Sequence, residues 1–202
     1  MGPLGSDLFF RHFIAEIART PNWEQFHTLI LAGPLCWAVA IAGFSYTMDA
    51  ERRTFWRMAT QAFAIGGATW AATFVLDGFV TPMYARALSS AAGSTTGATM
   101  FGFNANQQAV ARFGGVSWFA MSFGTAIIGA LLASRFRQAP KGAIVGAIGV
   151  MLGAWGIFAC LSGEFIPAPF TSHYWTLTAI SQGVWFAILG ITMIAWRPAE
   201  ES

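Results

Sequence analysis

Residues 142–167 read GAIVGAIGVMLGAWGIFACLSGEFIP. Within them Gly142, Gly146, Gly149, Gly153, Gly156, Cys160 and Gly163 recur at intervals of four and three, with Ala, Ile, Val, Met, Leu, Trp and Phe between. A period near 3.5 places all seven small residues on one helix face. A helix of about 25 residues crosses a hydrocarbon core of roughly 30 Å. Small faces let helix backbones approach closely in lipid, where water exclusion cannot drive association. The stretch therefore predicts a helix packed inside a membrane bundle. It ends beside Glu164, a carboxylate at the edge of the hydrocarbon.

The composition points the same way. Of 202 residues, 55% are hydrophobic and 10% charged, against roughly 25% charged in a soluble domain. That is too little charge to cover a water-exposed surface, and the mean hydropathy of +0.55 agrees. A net charge of +2, with the basic residues at span ends, gives no case for nucleic acid. Cys36 and Cys160 fall inside apolar runs without CxxC or Cys/His spacing, so both read as small buried side chains.

Working outward, Met1–Ser6 looks like the remnant of a cleaved expression tag, leaving residues 7–202 as one transmembrane domain. From Asp7 to Thr20, the residues Leu8, Phe9, Phe13, Ile14 and Ile17 share one arc, which suits an amphipathic helix lying in the membrane interface or packed on a partner subunit. Five spans follow, at about 26–48, 55–80, 113–134, 142–167 and 173–196, with a kink expected at Pro34. Between the second and third, residues 81–111 are rich in Ser, Thr, Gly and Asn and read as a long outer loop, with a short helix at 104–112. The fold class is thus an all-α, five-helix transmembrane bundle.

Basic residues set the orientation. Arg52, Arg53, Arg57, Arg135, Arg137, Lys141 and Arg197 lie on one side, and Arg11, Arg19, Arg86 and Arg112 on the other. The positive-inside rule makes the first side cytoplasmic, with the amino terminus outside and the carboxyl terminus inside, in a membrane such as the bacterial inner (plasma) membrane.

Other spans carry small faces too: Ala62, Gly66, Thr69 and Thr73 leading to Asp77; Gly115, Ser122, Ala126, Gly129 and Ala133; and His173, Thr176, Gly183, Ala187 and Gly190. Plain helix packing accounts for the glycines. Alternating helix direction then gathers His27, Asp77, Glu164 and His173 at the outer rim. Two imidazoles and two carboxylates form a first shell for zinc, iron or manganese. Alternatively, His27 and His173 hold a single haem b, or all four are interfacial residues reaching for headgroups, with Glu164 paired to Arg86 or Arg112. Trp37, Trp70, Trp118 and Trp155 inside the spans are packing partners, lipid-facing surface, or walls for a flat ligand such as a quinone or pigment.

No HExxH, GxSxG or P-loop pattern is present, and no lysine lies within a span. The sequence therefore leans away from an enzyme. It favours an accessory or scaffold subunit that binds other membrane chains, lipid or pigment. A metalloprotein or enzyme using the four rim residues comes second, and a small-solute transporter third, because the spans lack midplane charges.

Overall fold

The computed structural model describes residues 7–33, 36–37, 41, 52–90, 96–137, 140–162 and 170–195. Among these residues there is no strand. The helices are α1 (Asp7–Arg19), α2 (Trp23–Ile30), α3 (Arg53–Val75), a π-helical turn (Leu76–Val80), α4 (Thr81–Ser90), α5 (Thr96–Arg135), α6 (Pro140–Ser162) and α7 (Phe170–Ala195). Three continuous helical stretches are long and apolar enough to cross a membrane: Arg53–Ser90, Gly97–Arg135 and Pro140–Ser162. The described apolar part of α7, Leu177–Ile191, is shorter. Most of the expected first span, including Pro34, lies outside the described residues.

Among the described residues, the segment expected as a long outer loop is helix. Residues 81–90 are α4 and residues 96–135 are one helix of 40 residues, about 60 Å long at 1.5 Å per residue. Ser, Thr, Gly and Asn are turn formers in isolation, but tertiary burial overrides weak propensity. Here Phe103 of α5 and Ala85 of α4 are fully buried against Ile14 and Ile17 of α1. The same contact covers Ile14 and Ile17 of α1 with the protein's own chain, Ile17 being only 1% exposed.

Two compact units are distinguishable, residues Met1–Cys36 with Gly67–Ser117 and residues Trp37–Gly66 with Trp118–Ser202. In the first, the apolar core of Ile14, Ile17, Ala85 and Phe103 is flanked by Phe13, Ala18, Trp23, Tyr84, Leu88 and Met100.

In the second unit the glycines from Gly146 to Gly156 pack as their pattern predicts. A Cβ added at Gly146 would strike the backbone of Ala133 and Gly129, and one added at Gly153 would come within 2.6 Å of the Ser122 carbonyl and 2.5 Å of the Ala126 nitrogen. Gly156 likewise lies against Ser122. Two small faces, one on α5 and one on α6, run antiparallel at backbone contact. The face expected on α7 is different. Gly183 and Gly190 look onto open space, whereas Thr178, Gln182, Trp185 and Leu189 are buried. Large Trp185 fills the groove that Gly149 leaves, and its indole N–H donates to the Val145 carbonyl at 2.9 Å. The groove at Gly149 is filled by a large ring of α7, so the glycines of α7 did not mark its packing face.

Candidate functional site

The first unit holds a hydrogen-bonded polar cluster built from four elements, and its cause can be traced to Pro82. In the π turn, the backbone N–H of Thr81 bonds the carbonyl of Leu76, five residues back. The equivalent donor for the Asp77 carbonyl would be residue 82, but proline has no N–H. That carbonyl is satisfied instead by the indole N–H of Trp23 on α2, at 2.8 Å. A π turn and a proline thus create an acceptor that a neighbouring helix fills.

Once α2 is docked this way, His27 follows one turn later. It is buried, at 6% exposure, stacked on Trp23 with ring centroids 4.7 Å apart and against Phe74 at 5.6 Å. Gly78 makes the approach feasible, because a Cβ there would lie 2.6 Å from the His27 Cβ. His27 Nδ1 is 2.8 Å from the Trp23 carbonyl, and Nε2 is 3.1 Å from Asp77 Oδ2.

The second oxygen of Asp77 is also committed. Thr81 Oγ1 lies 3.1 Å from Asp77 Oδ1. The same hydroxyl oxygen accepts from Asn106 Nδ2 at 2.9 Å and from Gln107 Nε2 at 2.8 Å. A threonine hydroxyl has two lone pairs and one hydrogen. Both lone pairs are occupied by amides, so the single hydrogen points to Asp77 Oδ1, with the Leu76 carbonyl 3.3 Å away as a secondary acceptor.

Hydrogen accounting then fixes the middle of the cluster. The Trp23 carbonyl can only accept, so His27 Nδ1 carries a hydrogen. Asp77 Oδ1 receives from Thr81. Nε2 and Oδ2 then meet across one hydrogen, at 3.1 Å. The Asp77 side chain keeps 25% exposure, which leaves this edge reachable. Nearby, Arg86 and Glu24 form an exposed ion pair at 2.8 Å, so Arg86 is engaged by Glu24.

Of the four rim residues read from the sequence, His27 and Asp77 are in direct contact. Glu164 lies outside the described residues, and so does the side chain of His173, whose backbone is in α7. Among the described residues no group of three or more His, Cys, Asp or Glu is gathered as a metal shell. Cys36 and Cys160 are free thiols. Sequence reasoning missed Trp23, Thr81, Asn106 and Gln107 as members of the cluster. Pro82 directly after Thr81, five residues beyond Asp77, was the signal that could have marked an irregular turn at an ionisable residue.

Comparison with known protein families, with curated proteins and with solved structures finds no match.

Proposed function

We propose that the chain is a five-span membrane protein, amino terminus outside, that serves as an accessory or scaffold subunit for other membrane chains. What supports this is the division of labour on α6. Its glycine face is used up inside the second unit, while Ile144, Ile148, Met151, Trp155 and Phe158 are exposed. Their spacing of four and three makes a continuous apolar seam of the kind that a partner helix enters knob into hole. Leu177, Ile180, Val184, Ile188 and Ile191 form a similar outward row on α7. Partners would therefore be met by aliphatic and aromatic rows, not by the small faces. A photo-crosslinking residue at Met151 and at Phe158, in native membranes, tests this. One polypeptide adduct of the same mass from both positions is expected. Heterogeneous lipid adducts alone would sink the proposal.

A divalent metal at the rim is the second candidate, favoured by the His27–Asp77 contact. The carbonyl bond at Nδ1 leaves Nε2 as the coordinating nitrogen, the arrangement usual for metal-bound histidine. Its 3.1 Å separation from Oδ2 is near the edge of a tetrahedron with bonds of about 2.0 Å. Thr81 on Oδ1 would hold the carboxylate monodentate, and water, Glu164 or His173 would complete the shell. A haem between His27 and His173 fits less well, because both nitrogens of His27 are engaged. Cobalt(II) titration of the purified chain separates the cases. A tetrahedral d–d spectrum lost in His27→Ala and Asp77→Asn supports the metal, and no uptake up to millimolar cobalt rejects it.

A further inference from the structure

The second unit contains polar side chains that face no solvent. On α5, Ser122 and Thr125 are 0% exposed, and on α7, Thr178 and Gln182 are 1% exposed. Gln182 Nε2 donates to Ser122 Oγ at 2.9 Å. The pair sits against the glycine face of α6: a Cβ added at Gly156 would fall on Ser122 Oγ and come within 2.8 Å of Gln182 Nε2. Thr125 turns its hydroxyl back to the Met121 carbonyl at 2.8 Å. Gln182 Oε1, however, is buried and accepts no hydrogen bond.

That deficit is specific. A buried acceptor left unpaired costs about 1–3 kcal/mol, and in a membrane interior bulk water cannot relieve it. The missing partner is a donor. A cation could also meet a carbonyl oxygen, but α5, α6 and α7 contain no Asp or Glu to balance its charge. Water supplies the donor without a charge.

We infer that Gln182 binds one internal water molecule where its amide meets Ser122 and the glycine face of α6. The water accepts the Ser122 hydroxyl hydrogen, which the Gln182 bond leaves free to donate, and gives one of its own to Oε1. Thr178, one turn earlier on the same buried face of α7, supplies a further polar wall. Buried waters make about three such bonds. The site is a polar joint where α5, α6 and α7 meet.

The test uses the full chain, labelled with 15N-glutamine, in lipid. Magnetisation transfer from water to side-chain amides is recorded by solid-state NMR, and the Gln182 signal is assigned by its loss in Gln182→Met. A water cross-peak to that amide is expected, despite its 1% exposure, and it should persist in Ser122→Ala. Absence of the cross-peak in the wild-type chain overturns the inference. Loss of it in Ser122→Ala also does, since the serine hydroxyl would then be its source. If Gln182→Met does not fold, Gln182→Glu serves for assignment, because it also removes the amide signal.

Discussion

Thr81 is the residue on which the polar cluster depends, because its one oxygen serves two amides and one carboxylate. Thr81→Val keeps the branched shape and removes the hydroxyl. Asn106 and Gln107 then lose their shared acceptor and Asp77 Oδ1 loses its donor. With buried unmade bonds at about 1–3 kcal/mol each, and Asn106 able to fall back on the Leu76 carbonyl at 3.4 Å, a loss of about 2 kcal/mol is expected in detergent unfolding. Thr81→Ser should retain most of the stability. An unchanged unfolding midpoint in Thr81→Val would mean that the hydroxyl is not the junction. Gly78 provides an independent check on the same site. The atom facing it is the His27 Cβ, 2.6 Å from an added methyl, which cannot swing aside as a side-chain tip can. Gly78→Ala must therefore push α2 off the π turn. The expected readout is a shift of the Trp23 indole N–H resonance toward that of an unbonded indole, and an unmoved resonance would contradict the packing.

Among the elements, the π turn shows where one-dimensional patterns stop working. Counting by about 100° per residue works only in α geometry. Past Leu76 the wider turn changes that advance, so Thr81 cannot be placed beside Asp77 by counting. Asn106 and Gln107 were hidden by a different cause. They belong to a stretch whose polar composition resembles a loop, and only the burial of Phe103 and Ala85 on α1 makes it helix. His27 and Asp77 were visible because ionisable residues at apolar span ends are conspicuous on their own. The origin of the turn is testable at Pro82. Pro82→Ala restores a backbone donor and removes the ring clash with the carbonyl four residues earlier. The turn should relax toward α geometry, in which the Thr81 N–H takes the Asp77 carbonyl from Trp23. Slower hydrogen exchange at residues 81–83, together with a displaced Trp23 indole signal, is expected. If both are unchanged, the turn is held by something other than the proline.

For the molecule as a whole, the question is which face of each helix is inside. The sequence was right for Ser122, Ala126, Gly129 and Ala133 on α5 and for Gly146 to Gly156 on α6, but Gly115 looks onto open space and α7 turns a different face inward. On α5 and α6 the small residues face each other, so both stripes were legible without knowing the partner. On α7 the inward residues are Thr178, Gln182, Trp185 and Leu189, chosen to fill and hydrogen-bond a groove that only the neighbouring glycines define. A pair of alanine substitutions tells the two versions of α7 apart. At Gly149 an added Cβ would meet the Trp185 ring and lie 3.0 Å from the Gly129 Cα. One neighbour is a large ring tied by its N–H to Val145 and the other is backbone, so neither gives way easily. Overpacking of this kind costs about 1–3 kcal/mol, and Gly149→Ala should be destabilised by that amount in unfolding by SDS titration from mixed micelles. At Gly190 nothing lies within 4 Å of the added methyl. There the change only replaces a flexible helix residue by a better helix former, worth up to about 1 kcal/mol. Gly190→Ala should be neutral or more stable. The opposite result, with Gly149→Ala tolerated and Gly190→Ala destabilised, would mean that α7 turns its glycine face inward. Trp185 could not then occupy the groove at Gly149, and the buried position of Gln182 on which the internal water rests would fall with it.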